Sequence, residues 1–470
     1  MYHNSMQIGN KFRIYPTPEQ QQILLRWIGC QRFIYNAKVG EDRYFRRFHR
    51  KSPALCGEPI PRDQQYAHFI TEQTAFLREV PAVVLRNGAY RWRQAYQRFF
   101  SGACQGRPKI KSRKGRQSVL LTRELFELAP HEDGIRLAVG SKKFPLGEIP
   151  VRAHRPVEKT PASIILSVES GQWHLSFAVE DGAPEQTEAQ IAAELQRLGE
   201  ETLLQAARGI DRGVAIPAAV CDGSRFDFSP IQKKRLTGAE RHRKRWQKIA
   251  ARREKGSRRR TKAHQRAARY ALYEARVRSD MAHKASRALV DDLQARLFVF
   301  EDLRTKNMTR SAKGTVDKPG RNVRQKAGLN RAILHSAWGR IHQFTRYKAR
   351  RMGKLAIVVP PHHSSQECRL CGFTSPGNRL TQAEFACQRC GHAENADFNA
   401  AGVVKFRGVR LLLAGEIEFK APRRSGIRKQ LGPERSEVTP GEKVSAVREP
   451  TPRAPSSRNR ETPTTTPAGV

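Results

Sequence analysis

The sequence predicts a multidomain α/β protein, and three observations carry that reading. Its 470 residues give room for roughly three domains. The spacing of apolar residues changes from strand-like to helical, back to strand-like, and then to an alternation of strands and helices. Two Cys-x2-Cys pairs follow the last buried strand and mark a small module of their own.

Taken in order, residues 7–16 read as a short strand. Thr17-Pro18-Glu19-Gln20 then reads as a helix start: Thr17 can cap, Pro18 suits the first helical position and Gln20 completes a capping box. Ile23, Leu24, Trp27, Ile28 and Ile34 recur at helical spacing, and helical patterns continue to Phe100 with breaks between Pro53 and Pro61. Gly102 to Lys114 is a basic bend. From Gln117 to Glu180 the period becomes strand-like, most plainly in Ser163–Val168 and Trp173–Val179 around Ser170-Gly171-Gln172, a hairpin pattern. A β-domain split by a helical insert at 17–100 is therefore expected, followed by a linker from Asp181 to Glu188.

Gly209-Ile210-Asp211-Arg212-Gly213-Val214 opens an α/β segment. Residues 233–278 hold 19 Lys+Arg against three acids, Glu240, Glu254 and Glu274, and read as two helices broken near Gly256 with a phosphate-facing surface. Leu297-Phe298-Val299-Phe300 is a buried strand ending in Glu301. A basic loop (304–328), a helix (329–352), a second buried strand (Lys354–Val359), the cysteine module and a helix from Asn395 to Phe406 follow. From 421 the chain is rich in Pro, Ser, Thr and charge, and is expected to be disordered.

The composition narrows the function class. With 87 Lys+Arg and 44 Asp+Glu the net charge is +43. Self-repulsion at that charge opposes a compact state unless a polyanion neutralises it. No run approaches the ~18 apolar residues of a membrane span. The start, Met1 to Met6, offers no apolar secretory segment, and eight cysteines do not make a disulfide scaffold. Membrane, secreted and collagen-like classes are excluded, and an intracellular nucleic-acid protein is expected.

Two constellations carry chemistry. Cys368, Cys371, Cys387 and Cys390 form two Cys-x2-Cys knuckles separated by fifteen residues, each followed directly by a glycine, Gly372 or Gly391. Four thiolates suit one tetrahedral Zn2+ and leave no open position, so the expected zinc is structural. Asp211, Glu301 and Asp397 lie at a strand end, a strand end and a helix start. Each alone reads as readily as a cap, and Asp302 beside Glu301 is an equally acidic neighbour. Brought together, such acids would suit two Mg2+ ions of a nuclease, since hard oxygen ligands favour Mg2+.

At these residues the sequence resembles a known family. Gly209-Ile210-Asp211, Val299-Phe300-Glu301-Asp302-Leu303 and Asn395-Ala396-Asp397-Phe398-Asn399-Ala400-Ala401 resemble the three RuvC motifs of TnpB, the insertion-sequence-encoded RNA-guided nucleases related to type V CRISPR effectors. His363-Ser364-Ser365-Gln366 before Cys368 resembles the entry to its zinc ribbon. Phe12-Arg13-Ile14-Tyr15-Pro16-Thr17-Pro18-Glu19-Gln20 and Gly106-Arg107-Pro108-Lys109-Ile110-Lys111-Ser112 resemble its N-terminal signature and the re-entry into its β-barrel. The resemblance spans residues 7–406 and leaves out the tail.

It implies an N-terminal wedge-like β-barrel (1–16 and 101–181) interrupted by a helical recognition bundle (17–100), a linker (182–203), an RNase H-like RuvC nuclease domain (204–361 and 392–420) with an inserted zinc ribbon (362–391), and a disordered tail (421–470). It implies Asp211, Glu301 and Asp397 as catalytic Mg2+ ligands. A guide RNA from the transposon end and a short flanking DNA motif would direct cleavage of double-stranded DNA. A separate transposase would move the element, and the protein would be cytoplasmic and nucleoid-associated. The alternatives are a CRISPR-associated miniature effector or a nuclease-inactive repressor. A transposase acting directly on DNA ends lacks its His-x-His site here, and tyrosines such as Tyr270 sit in a basic helix. Two departures stand out: Arg212 places a cation beside Asp211, and Met6 is the expected natural start.

Overall fold

The structure, a computed structural model, describes residues 7–51, 63–131, 134–157, 159–180, 186–315, 317–417 and 419. The expected breaks between Pro53 and Pro61, the Met6 start and the tail from 421 lie outside them. Strand β1 (Gln7–Ile14) leads into helix α1 (Pro18–Lys51). The Thr17 amide donates to Gln20 Oε1 (2.9 Å) and the Gln20 amide to Thr17 Oγ1 (3.3 Å), the reciprocal cap that the sequence predicts. Two 3-10 turns precede helix α2 (Ala82–Phe100), which packs against α1.

Strands β2 (Gln117–Thr122), β3 (Phe126–His131), β4 (Gly134–Gly140), β5 (Pro145–Arg152), β6 (Ser163–Glu169) and β7 (Gln172–Glu180) follow. They form one antiparallel sheet in the order β2-β6-β7-β1-β5-β4-β3. β1 runs against β7 along its whole length, from Gln7 opposite Glu180 to Ile14 opposite Trp173. The first strand of the chain therefore sits mid-sheet, and the helices are an insertion into that sheet. Between β6 and β7, Ser170 and Gly171 both take positive φ (50° and 77°), the geometry a two-residue hairpin turn needs. Among the described residues no ladder joins β3 to β2, so the hydrogen bonding has two ends.

Residues 181–185 of the expected linker lie outside the described residues, and its remainder to 203 is largely helical. Helices α3 (Glu188–Gln196) and α4 (Glu200–Gln205) bury Ile191, Leu195 and Leu203 against the next sheet. Their apolar residues are few and short-range, which is why the stretch reads as a connection; the burial comes from partners more than a hundred residues away.

Strands β8 (Ala207–Asp211), β9 (Ala218–Val220) and β10 (Arg225–Phe226) form a meander, helices α5 (Pro230–Ala251) and α6 (Arg258–Asp291) a long hairpin, and β11 (Leu297–Glu301) returns beside β8. After α7 (Thr305–Met308), α8 (Val323–His335), α9 (Trp338–Arg351) and β12 (Leu355–Val359) come two short strands, β13 (Glu384–Ala386) and β14 (Ala393–Asn395), and helix α10 (Ala396–Leu413). The single helix expected at 329–352 is thus two helices. Ala337 (φ 60°) breaks it and turns Trp338 inward, where its indole donates to the Gly213 carbonyl (2.8 Å).

The second sheet has the order β10-β9-β8-β11-β12, with β8, β11 and β12 parallel. Side chains on a strand alternate faces. Ile210, Phe298 and Phe300 point into a core with Met281, Leu289 and Ile341 of α6 and α9. Ala207, Leu297, Val299 and Ile357 point the other way, into a core with α3, α4 and α10. Among the described residues no helix is long and apolar enough to cross a membrane.

The approach of α10 to β8 has no slack. A Cβ on Gly209 would lie 2.0 Å from the Ala401 carbonyl oxygen and 2.7 Å from the Lys405 amide nitrogen. Gly209→Ala is expected to cost about 1–3 kcal/mol of stability by forcing the helix outward, read by denaturant unfolding. In contrast, Gly238→Ala meets nothing within 4 Å on α5 and should gain about 0.4–1 kcal/mol.

Candidate active site

The alternation of faces decides where the acids go. β8 and β11 are parallel neighbours with Ile210 opposite Phe300, so the next residues, Asp211 and Glu301, lie side by side at the carboxyl ends of the two strands. By period two, Asp211 shares the face of Ala207 and Gly209, and Glu301 that of Leu297 and Val299. That is the face covered by α10. Asp397 is in the first turn of α10, whose start is capped by Asn395: its side-chain oxygen accepts from the Asp397 amide (3.1 Å). The Gly213 Cβ position lies 3.8 Å from Asp397 Oδ2, which places this carboxylate over the turn that leaves β8.

The three acids feel one another. Burial, then the charges of Glu301 and Asp397, push the Asp211 carboxyl up to about 7. Burial also raises Asp397, against the pull of the Arg379 and Arg225 guanidiniums. Glu301 is buried and accepts a hydrogen bond from Ser364 Oγ. Asp302 faces away: its side chain is 57% exposed and its nearest cation is Arg304 at 4.0 Å.

Arg212 is a buried brace rather than a competitor for the site. Its guanidinium donates to the backbone carbonyls of Glu301 and Trp338, lies 5.5 Å from the Phe300 ring, and is lowered to about 10 by burial against the opposing pull of Glu301 and Asp211. It ties the ends of β8 and β11 together on the side away from the acids. The roles of Arg212, Ser364, Trp338, Arg225 and Arg379 are contributions that a reading of the sequence does not find, because their partners are distant in the chain. Two signals were available: Arg212, read as a cation beside Asp211, and Ser364, which lies in the run read only as the zinc-ribbon entry.

The four cysteines converge. Among the described residues their sulfur atoms form the one group of potential metal ligands that all lie within 4.8 Å of one another. Cys368 Sγ is 3.7 Å from Cys390 Sγ, and Cys371 Sγ 3.5 Å from Cys387 Sγ. A tetrahedron with Zn–S near 2.3 Å has S–S edges of about 3.8 Å, so the donor set fits zinc in both chemistry and size. The two knuckles repeat one geometry. Gly372 and Gly391, both at φ 71°, donate to the carbonyls of Cys368 and Cys387 (2.9 and 3.0 Å). Asn378, fully buried, links the knuckles by bonding the Gln366 and Phe373 carbonyls and the Gln388 amide. Asn399 clamps the first knuckle to α10 through the Glu367 carbonyl (2.7 Å) and the Arg369 amide (3.0 Å). The cysteine module is thereby fastened two residues from Asp397, and it delivers Arg379 to the acids.

The basic hairpin has an inside and an outside. Glu274 is buried against Arg243 (2.8 Å) and Arg278 (3.7 Å), and Glu240 pairs with Lys244 (2.8 Å). Arg241, Arg245, Lys248, Lys262, Arg266 and Arg269 remain exposed along α5 and α6. Tyr270 stacks on His242 between the two helices, ring centroids 5.2 Å apart.

The raised Asp211 sets a pH dependence. Its folded value of about 7 lies above the ordinary 3.8, so the native state holds more protons than the unfolded state in that window, and stability falls as pH rises through it. Asp211→Asn is expected to raise the Tm of protein kept free of divalent metal at pH 8, with a smaller gain at pH 5. Equal Tm changes at the two pH values would contradict the coupling.

Family comparisons match three stretches: a "Helix-turn-helix domain" of the IS605 OrfB type at residues 5–39, the IS605 OrfB "Probable transposase" at 185–312, and a "Cas12f1-like, TNB domain" at 338–404. The first stretch is here a strand followed by one unbroken helix. A protein of Escherichia coli (strain K12) named "Putative RNA-guided DNA endonuclease InsQ" is 29% identical over 415 residues, 87% of this chain and 94% of the relative. A "Putative RNA-guided DNA endonuclease" of Streptomyces pristinaespiralis is 28% identical over 86% of this chain and 90% of its own length. Among solved structures, the protein in a Cas12f1-sgRNA-target DNA complex is 13% identical with a TM-score of 0.47, covering 86% of this chain and 99% of that one. The matched stretches include the two strands that end in Asp211 and Glu301, the cysteine module and the start of α10, and over them the chain is similar to the IS605 OrfB proteins and to Cas12f1.

Proposed function

We propose that this protein is an RNA-guided DNA endonuclease of an insertion sequence. The observation that carries the reading is the placement of Asp211 and Glu301 at the carboxyl ends of two parallel strands with Asp397 at the start of α10, where burial and then the charges of the other two acids push Asp211 up to about 7. Two relatives matched over most of their length carry that activity in their names. The five-stranded sheet with its helices serves as the RNase H-like RuvC domain, the cysteine module as its zinc ribbon, the split seven-stranded sheet as the wedge-like barrel and α1 with α2 as the recognition bundle. A nuclease-inactive repressor would be marked by loss of one of the acids, and all three are present.

The donor set fits a hard divalent cation: oxygen-only ligands whose mutual repulsion a positive ion relieves. Asp211, Glu301 and Asp397 would hold Mg2+, which in such sites activates water and stabilises the leaving oxygen. The chain's own groups do the rest. Ser364 fixes the Glu301 carboxylate. Arg212 holds the strand ends in register. Arg379 and Arg225 offer positive charge beside Asp397 for a phosphodiester. Guide RNA from the transposon end and target duplex DNA are the partners, a separate transposase moves the element, and the protein works in the cytoplasm on the nucleoid. The exposed cations of α5 and α6 take up the polyanion.

The test is cleavage by protein loaded with RNA. Changing the guide segment should move the cut while the flanking motif is kept, and a scrambled guide should abolish it. Equal cutting with and without RNA would defeat the proposal. Asp211→Ala, Glu301→Ala or Asp397→Ala should remove cleavage by several orders of magnitude with RNA binding nearly intact, whereas Asp302→Ala, exposed and turned away, should retain most of it. Elemental analysis should find about one zinc per chain, lost in Cys387→Ser. Metal-free wild-type protein that stays folded would refute the zinc site.

A further inference from the structure

A second concave site lies where α1, α2, β2 and the basic bend before β2 meet. It has a volume of about 190 Å3, and its lining includes the polar side chains of Gln31, Arg32, Tyr35, Arg91, Lys111, Ser112, Arg116 and Ser118. Four of these side chains are cations and none is a carboxylate. Among the described residues, Arg32, Arg91, Lys111 and Arg116 form no ion pair.

Three of the cations, Arg32, Arg91 and Lys111, are instead held by neutral groups. Gln31, 2% exposed, spans α2 and β2 through the Val84 and Leu120 backbones, and its Oε1 accepts from Arg91 (3.2 Å). Arg91 also donates to the Ser118 carbonyl (3.2 Å) and Oγ (3.4 Å). Asn36 grips the backbone of Lys111 from both sides, donating to its carbonyl (3.0 Å) and accepting from its amide (2.8 Å). Gln117 accepts from Arg32 (2.5 Å) and closes the bend by donating to the Arg113 and Gly115 carbonyls (2.6 and 2.8 Å). Lys111 Nζ stands 3.4 Å from the centroid of the buried Tyr35 ring. A carboxamide fixes a guanidinium without cancelling its charge. A pocket built this way keeps like charges close together and leaves the compensating anion to come from outside. Burial, then Arg91, lowers Lys111 to about 7, as expected for an ammonium lacking its counterion.

We propose that this pocket binds a single phosphate group of a nucleic-acid backbone, separately from the RuvC acids. The volume matches the group. It equals the space of roughly six waters, enough for a phosphate and its nearest waters, and falls short of the ~300 Å3 at which pockets begin to enclose whole small molecules. A tetrahedral anion meets three guanidiniums, an ammonium and two serine hydroxyls, the donors that recognise phosphate. The inference rests on the reading of nucleic acid as the partner. It gives the helical insert a role, which is to pin one backbone position against the sheet into which it is inserted.

The test uses full-length Lys111→Met/Arg116→Met protein, matched to wild type by circular dichroism and Tm. Arg116→Gln alone, an exposed change, serves if the double variant folds poorly. Binding to a labelled mixed-sequence RNA and to a labelled duplex DNA is measured across a NaCl series. Inorganic phosphate is scored by thermal shift against chloride at equal ionic strength. Loss of one phosphate contact should make the slope of log K against log salt shallower by about one unit for at least one polymer. Lys111→Arg should keep the wild-type slope, and so should Lys142→Met, an exposed cation on the β4–β5 turn. Unchanged slopes for both polymers, or an equal change in Lys142→Met, would overturn the proposal. So would a variant that loses only inorganic phosphate binding. A protein that never cuts under guidance yet shows the shallower slope would sink the endonuclease reading and leave this pocket standing.

Discussion

The closeness of α10 to β8 is the constraint on which the rest of this molecule depends. Gly209 has no side chain, so the Ala401 carbonyl can sit where a Cβ would be. The contact recurs along the helix, with Gly408 against Val299 and Gly402 against Arg369. Because the helix lies on the strands at this depth, Asp397 at its first turn reaches the strand ends that carry Asp211 and Glu301. A helix set one side chain higher would cover the same apolar face and leave the third acid out of reach.

The same arrangement is electrostatically uncomfortable, and the surroundings manage it without removing it. Glu301 is buried with Asp211 and Asp397 half-buried beside it, and no lysine or arginine forms an ion pair with any of them among the described residues. Arg212 takes the backbone at the strand ends, Ser364 takes one Glu301 oxygen, and Arg379 and Arg225 act on Asp397 from outside. Repulsion among the carboxylates therefore persists in the protein alone, and a divalent cation is the natural relief. The phosphate pocket at the helical insert follows the opposite-sign version of one rule: like charges held by neutral partners, open to a counterion.

The cysteine module acts on this arrangement as a lever. Asn399 is on α10 two positions after Asp397, and its side chain grips the first knuckle. Asn378 carries that grip to the second knuckle, and Arg379, next in the chain, comes to face the acids. A structural metal in the knuckles would thus hold the third acid and its neighbouring arginine in place without touching the reaction.

Much of this was legible in the sequence, because it depends on local or periodic information. The Thr17–Gln20 cap, the Ser170–Gly171 turn and the Gly256 break between α5 and α6 are set by a few adjacent residues. The knuckles are set by spacing. Asp211 and Glu301 were visible as acids ending apolar strands, and the face of each follows from strand alternation once the register is known. Register was the missing quantity. That Ile210 lies opposite Phe300, that Trp338 reaches the Gly213 carbonyl after Ala337 breaks a helix, that Ser364 serves Glu301 and that 188–203 is core rather than linker all rest on contacts between segments far apart in the chain. Local propensity carries no term for such contacts. Tertiary packing alone decided them, since a buried polar or apolar group takes whichever distant partner the fold brings within reach.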